Sequence, residues 1–139
     1  MELFQVDDEC LLFISPAITD WDVLTCHGVD TVIDLDGDLD CGVPTLPDQC
    51  LYIYFPICDD DLPNLDKLNA IGILGASLIA SRHCVLSHCG MGYNRSALVA
   101  GVILHKLGMS GPDIVRRIRE RRPGALFNDS FSAYLESLK

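Results

Sequence analysis

The sequence predicts a single α/β domain with a central, largely parallel twisted sheet flanked by helices. Three observations lead there. Short apolar, β-rich runs alternate with segments patterned at three- and four-residue steps. The chain has 139 residues, 49% of them hydrophobic, enough for one core of ordinary domain size. No Pro-, Gly- or Ser-rich linker, internal repeat or low-complexity tract divides residues 1–139.

In chain order, strands are expected at residues 10–14, 31–35, 51–55 and 84–87, each too apolar for a surface position. A first helix should follow Ser15-Pro16, where proline suits a first turn, pass through Trp21 and Leu24, and end at Gly28. A second should start near Asn64 and bury the face made by Leu65, Leu68, Ile71, Leu74 and Leu78. A third should run from about Ser96 through Leu104 to a stop at Gly108. A fourth, at 112–121, has Asp113 in its first turn and arginines toward its end, the order favoured by the helix dipole. Pro123-Gly124 breaks it, and residues 130–138 read as a short last helix.

The formal net charge of −10 argues against a nucleic-acid or membrane-surface partner, although five of the ten Lys and Arg residues fall between Arg116 and Arg122. Residues 1–8 lack the basic start and apolar stretch of a secretory signal. The most lipid-like run, 70–80, is roughly half the ~20 residues that span a bilayer. Seven cysteines without Cys-x-x-Cys spacing suggest neither a zinc site nor a redox dithiol, and those in apolar runs, such as Cys50 and Cys84, read as small buried hydrophobes. A reduced, intracellular, cytoplasmic protein is expected, with no metal or cofactor. The stretch 34–40 contains Asp-x-Asp-Gly but lacks EF-hand spacing and the closing Glu, so it reads as an acidic loop after a strand. Bordering a pocket, it would repel polyanions and favour basic ligands.

The chemistry concentrates in His88-Cys89-Gly90-Met91-Gly92-Tyr93-Asn94-Arg95-Ser96, between a buried strand and a helix. Such a loop can turn successive amides inward as an anion nest, and the following helix adds its positive dipole end. Gly90 and Gly92 permit the necessary backbone angles. Cys89 at the lip would be favoured as thiolate by the same field and so act as nucleophile. Arg95, six positions on, can clamp two phosphoryl oxygens bidentately. Ser96 can offer its hydroxyl to the sulfur, and His88 suits an orienting role better than that of a base.

These residues match His-Cys-x5-Arg-Ser/Thr throughout, and the chain is similar to the protein tyrosine phosphatase superfamily. Together with Leu12-Phe13-Ile14-Ser15, the run 28–35, Arg122-Pro123 and Asn128, the resemblance is to a small atypical dual-specificity phosphatase covering most of the chain. It implies a cysteine-phosphatase fold, a phosphocysteine intermediate, and a shallow pocket open to phosphoserine and phosphothreonine as well as phosphotyrosine. Residues 90–95 would bind the phosphoryl group of a phosphorylated protein or another phosphomonoester. Expelling the ester oxygen requires a proton donor, and Asp59, Asp60 and Asp61 are candidates. The family pattern, an acid about thirty residues before the cysteine in a Pro-Ile-x-Asp-like loop, selects Asp59, with Asp61 as runner-up.

Three departures matter. Asp34 stands where the family often has Asn. Gly-Tyr-Asn-Arg-Ser resembles the motif of RNA 5′-triphosphatases of the superfamily, enzymes that typically lack the aspartate acid. No Lys or Arg lies at 90–94, which speaks against polyphosphoinositides. Arg119 and Arg122 match positions that in relatives can attract a second phosphate at the pocket mouth, and Arg122 is the candidate taken from the arginine run. Besides the triphosphatase, a pseudophosphatase that binds phosphate without turnover is the alternative reading.

Overall fold

The strand that leads into Cys89 is the middle of the sheet. A computed structural model describes residues 1–139. Its elements are β1 (Phe4–Gln5), β2 (Leu12–Ser15), α1 (Trp21–Cys26), β3 (Val29–Asp34), β4 (Leu51–Tyr54), α2 (Leu65–Ala80), β5 (Cys84–His88), α3 (Arg95–Lys106), α4 (Gly111–Arg121) and α5 (Asp129–Glu136). The sheet order is β1-β2-β5-β3-β4. β1 runs antiparallel to β2, and the other pairings are parallel. β5 is buried throughout, flanked by β2 and β3. In open α/β sheets ligands bind beyond the carboxyl ends of such strands, and Cys89 emerges there.

The predicted architecture holds, with four local corrections. β2 starts at Leu12 because Cys10 is held in a left-handed turn, φ 61°. The buried Asp7 carboxylate closes that turn by accepting the amides of Glu9, Leu11 and Leu12, and it places β1, which the sequence did not suggest, against β2. The first helix begins at Trp21 rather than after Pro16, since Asp20 caps it by accepting the Asp22 amide at 2.9 Å. β4 is an edge strand with Leu51 and Tyr54 exposed, so the expectation that every strand is interior fails there.

The fourth correction concerns the buried face of α2. It is Leu68, Gly72, Gly75, Ala76 and Ile79, while Leu65 and Leu74 face solvent. Glycines set this rotation. A Cβ on Gly72 would lie 2.5 Å from Val102 Cγ1, and one on Gly75 2.6 Å from Ile103 Cδ1, so α2 lies against α3 more closely than any side-chain-bearing face would permit. α3 itself is buried from Ser96 to Leu104 and forms the centre of the main core with Ile14, Ile33, Leu35, Ile114 and Phe131.

All seven cysteines are free. Cys84 is buried as expected, Cys50 only half so, and Cys10, Cys26, Cys41 and Cys58 are exposed. No helix is long and apolar enough to cross a membrane.

Candidate active site

Parallel pairing builds the nucleophile loop. Ser15 at the end of β2 is in register with His88 at the end of β5. Beyond that point the Cys89 amide donates to the Ser15 carbonyl at 3.3 Å, and the Ala17 amide donates to the Gly90 carbonyl at 3.2 Å. Gly92 turns at φ +73° against this corner, where a Cβ would meet Pro16 N at 2.7 Å, so position 92 requires glycine twice over. The turn aims the Gly92 amide at Cys89 Sγ, 3.3 Å away. Ser96 Oγ lies 3.4 Å from the same sulfur, and the Ser96 carbonyl accepts the Ser87 hydroxyl at 3.0 Å. Cys89 is thus buried at 2% exposure, its Sγ accepting the Gly92 amide and donating to Ser96 Oγ.

Arg95 opens α3. Its Nη1 is anchored by the carbonyls of Leu35 (3.5 Å) and Ile57 (3.4 Å) and by Asp36 Oδ1 (3.4 Å). Its Nε is buried with no partner. A buried guanidinium donor without a protein partner is suited to an oxyanion acceptor.

His88 points away from this pocket into a buried acidic network. Its Nε2 lies 2.6 Å from Asp40 Oδ2 and 3.6 Å from Asp34 Oδ1. The Tyr52 hydroxyl donates to Asp34 Oδ2 and accepts the Asp40 amide at 2.9 Å. Asp34 is fully buried, and its Oδ1 also accepts the Asp36 amide at 2.9 Å. Burial pushes the Asp40 carboxyl above its ordinary range, with His88 pulling the other way. The donor atoms of Asp34, Asp40 and His88 lie within 4.8 Å of one another, near enough to share a cation, but protons from the tyrosine, the imidazole and a backbone amide already bridge them. The His88 imidazole is thus held on the Asp34–Asp40 side of the loop and away from Cys89 Sγ. Asp34, noted as a departure from the family pattern, is half of its anchor. Asp40 and Tyr52 had no signal in the sequence.

The acid loop reaches the site because the chain continues past β4 along the end of β3, with the Phe55 amide on the Asp34 carbonyl (2.9 Å) and the Ile57 amide on the Leu35 carbonyl (3.2 Å). Of the three candidate acids, Asp59 is the one tied to the nucleophile loop. Asn94 Nδ2 donates to its Oδ2 and Asn128 Nδ2 to its Oδ1, each at 2.9 Å. Asn128 is itself fixed: its amide donates to Asn94 Oδ1 (3.0 Å), and its Oδ1 caps α5 by accepting the Phe131 amide (3.2 Å). Asp60 and Asp61 are exposed. Asn94 sits at the N-cap of α3 yet makes no side-chain cap, so its amide is free for the acid.

Arg122 does not offer a free cation to a second phosphate. Its Nε and Nη2 donate to the carbonyls of Gly92 (3.3 Å) and Met91 (3.2 Å), with the guanidinium over the rings of Tyr93 (3.9 Å) and Phe4 (4.4 Å). Arg122 is a brace behind the loop, and its donors are engaged because α4 ends directly against residues 91–93. Arg119 similarly holds the carbonyls of Ala125 (3.3 Å) and Leu126 (2.9 Å). Leu126 is buried at φ 62° and donates to the Tyr93 carbonyl at 2.9 Å, so a strained residue completes the brace. Arg116 pairs with Asp113 and Arg117 with Asp8. Met91 is exposed at the rim.

No family model matches the chain. It is 30% identical over 119 residues to dual specificity protein phosphatase 8 of Mus musculus, an alignment covering 82% of this chain and 17% of that protein. It is 29% identical over 114 residues to dual specificity protein phosphatase 16 of Homo sapiens, covering 78% and 16%. The chain thus spans less than a fifth of the length of these curated relatives. The crystal structure of human DUSP28 superposes with a TM-score of 0.80 at 22% identity, covering 96% of this chain and 90% of that one. DUSP15 gives 0.77 at 21%, covering 96% and 85%. The human tyrosine phosphatase-like serine/threonine/tyrosine-interacting protein gives 0.76 at 21%, covering 96% and 93%. Sequence similarity shows that the chain belongs to the dual specificity protein phosphatases, and the solved structures show that it has their fold.

Proposed function

We propose that this chain hydrolyses phosphate monoesters on phosphorylated proteins, phosphotyrosine and also phosphoserine and phosphothreonine, through a phosphocysteine intermediate. The observation that carries the reading is the pairing of Cys89 Sγ, faced by the Gly92 amide and the Ser96 hydroxyl, with an Arg95 whose buried Nε lacks a partner.

In the first step Cys89 Sγ attacks phosphorus, the ester P–O bond breaks, and Asp59 gives a proton to the leaving oxygen. Arg95 and the amides of residues 90–95 hold the nonbridging oxygens, whose charge grows equatorially in the transition state. In the second, Asp59 takes a proton from water, water oxygen bonds to phosphorus, and the P–S bond breaks to release the thiolate toward the Ser96 hydroxyl. Each Asp59 oxygen accepts one amide hydrogen and keeps lone-pair capacity for the transferred proton. Asn94, the residue shared with the RNA 5′-triphosphatase motif, binds this acid, which favours the monoesterase over the triphosphatase reading. A dependence on free Cys89 fits action in a reducing, cytoplasmic setting.

The test is turnover of a chromogenic aryl phosphate. Cys89→Ser should show none. Asp59→Ala should fall by roughly 10²–10⁴, and Asp61→Ala should stay near wild type. Undiminished turnover by Cys89→Ser would overturn the proposal. Full Asp59→Ala activity on triphosphate-ended RNA, with little on aryl phosphate, would move the assignment to the triphosphatase.

A further inference from the structure

The segment after β3 crosses the lip of the phosphate loop and leaves a carboxylate there. Asp36 Oδ1 lies 3.4 Å from Arg95 Nη1, and a Cβ on Gly90 would stand 3.6 and 3.7 Å from the two Asp36 oxygens. The charge is therefore set against the first loop residue after the nucleophile and beside the arginine that would bind substrate phosphate. It is fixed in place. The Asp36 amide donates to buried Asp34, Asp36 Oδ1 accepts the Gly37 amide at 2.9 Å, and the Tyr54 hydroxyl donates to the Gly37 carbonyl at 2.7 Å. The Asp36 side chain remains 39% exposed, so its other side faces whatever approaches the pocket.

The neighbouring loops add further carboxylates. Asp34, Asp36 and Asp38 together act on Tyr54, reinforcing the rise that desolvation causes in its hydroxyl pKa. The acid loop brings Asp59, with exposed Asp60 and Asp61 next to it. Arg119 and Arg122, the cations of α4 that reach toward the loop, have donors engaged by main-chain carbonyls. A phosphoryl dianion entering this pocket must share Arg95 with a carboxylate already in place. A substrate lowers that penalty by carrying a cation beside its phosphate and worsens it by carrying a second anion.

We propose that Asp36 is a specificity-determining residue that, by sharing Arg95, selects phosphopeptides with Lys or Arg next to the phosphorylated residue and rejects esters with a neighbouring anionic group. The proposal rests on the reading of the Cys89 loop as a phosphate site.

The experiment compares two phosphotyrosyl peptides that differ only in carrying Arg or Glu on both sides of the phosphotyrosine. Wild type should favour the Arg peptide in kcat/KM by about 10-fold or more at low salt, with the ratio shrinking as ionic strength rises. Asp36→Asn keeps the Gly37 turn acceptor but loses the charge, so the ratio should collapse to about 3-fold or less while inorganic vanadate inhibits more tightly. Asp36→Glu should restore the preference, which a purely structural role for the side chain would not do. The same peptides titrated against Cys89→Ser protein and its Asp36→Asn double variant, read by fluorescence anisotropy, report the preference without turnover. Absent turnover by wild type with an Arg preference in that binding arm would remove the phosphatase reading and leave the Asp36 assignment standing. A ratio near one, a preference for Glu, or a ratio unmoved by Asp36→Asn in both arms would overturn the assignment whether or not the protein is an active phosphatase.

Discussion

β5 begins with one cysteine and is followed at once by another, and their surroundings are opposite in kind. Cys84 and Cys89 are 4% and 2% exposed, so burial does not separate them. Around Cys84 Sγ the polar atoms are acceptors, the carbonyls of Cys10 and His27, each at 3.8 Å. Burial pushes its thiol up to about 12, with the carboxylates of Asp30 and Asp7 acting in the same direction. Around Cys89 Sγ lie the Gly92 amide and the Ser96 hydroxyl, with the amino end of α3 and Arg95 beyond. A parallel strand leading through a tight glycine turn into a helix presents N–H groups at its carboxyl end. At its amino end the neighbours are carbonyls of the preceding turns. The same residue type is therefore a core atom facing acceptors at one end of the strand and the proposed nucleophile at the other.

The largest test of that contrast uses both cysteines. Cys89→Ser should abolish phosphatase turnover, whereas Cys84→Ser should retain it within a few-fold. In a background with Cys10, Cys26, Cys41, Cys50 and Cys58 changed to Ser, iodoacetamide at neutral pH should label Cys89 and spare Cys84, and vanadate should protect Cys89. Mass spectrometry of the labelled peptides reads this directly. Equal labelling of the two would mean that burial, not the sign of the neighbouring dipoles, governs reactivity here.

A smaller effect is expected where the donors serve the acid rather than the nucleophile. Asn94→Ala removes one of the two amides that hold the Asp59 carboxylate over the loop. It should lower kcat by about 10- to 100-fold for an alkyl or phenyl phosphate and much less for an aryl phosphate with a good leaving group, because only the former needs the proton. Plotting rate against leaving-group pKa for wild type, Asn94→Ala and Asp59→Ala separates positioning of the acid from damage to the loop. A uniform loss across all leaving groups would place Asn94 with the nucleophile instead.

The sequence foretold the two sides of the cleft unequally. The β5, loop and α3 stretch was legible because apolar run, glycines, arginine and helix are contiguous, and contiguous pattern is what periodicity and motif reading detect. Asp59 was singled out by its place in a Pro-Ile-x-Asp segment, and the structure ties it to Asn94 and Asn128. What holds these residues was not. Asn94 and Asp59 are 35 residues apart, and His88 and Asp40 are 48 apart, distances over which no local pattern operates. The buried face of α2 was misread for a different reason: its leucines repeat at helical spacing, but glycines, which carry no hydrophobic signal, determine which face can approach α3. Arg122 was placed at the pocket mouth by its match to positions in relatives, whereas the end of α4 directs it onto loop carbonyls.

The inert end of β5 yields the smallest effect, with a definite sign. Folding raises the Cys84 thiol from its ordinary value of 9.0 to about 12, so the folded state holds that proton more tightly than the unfolded chain does. The associated stability is fully present below pH 9 and is lost as pH rises toward 12. Wild type should therefore lose more of its melting temperature across that window than Cys84→Ala, even though the alanine variant starts lower at neutral pH because of the cavity it creates. Circular-dichroism melts between pH 8 and about 11 would show the two curves converging. Parallel curves would mean that the Cys84 thiol is as free to ionise as an exposed one, and the distinction between the two ends of the strand would then rest on Cys89 alone.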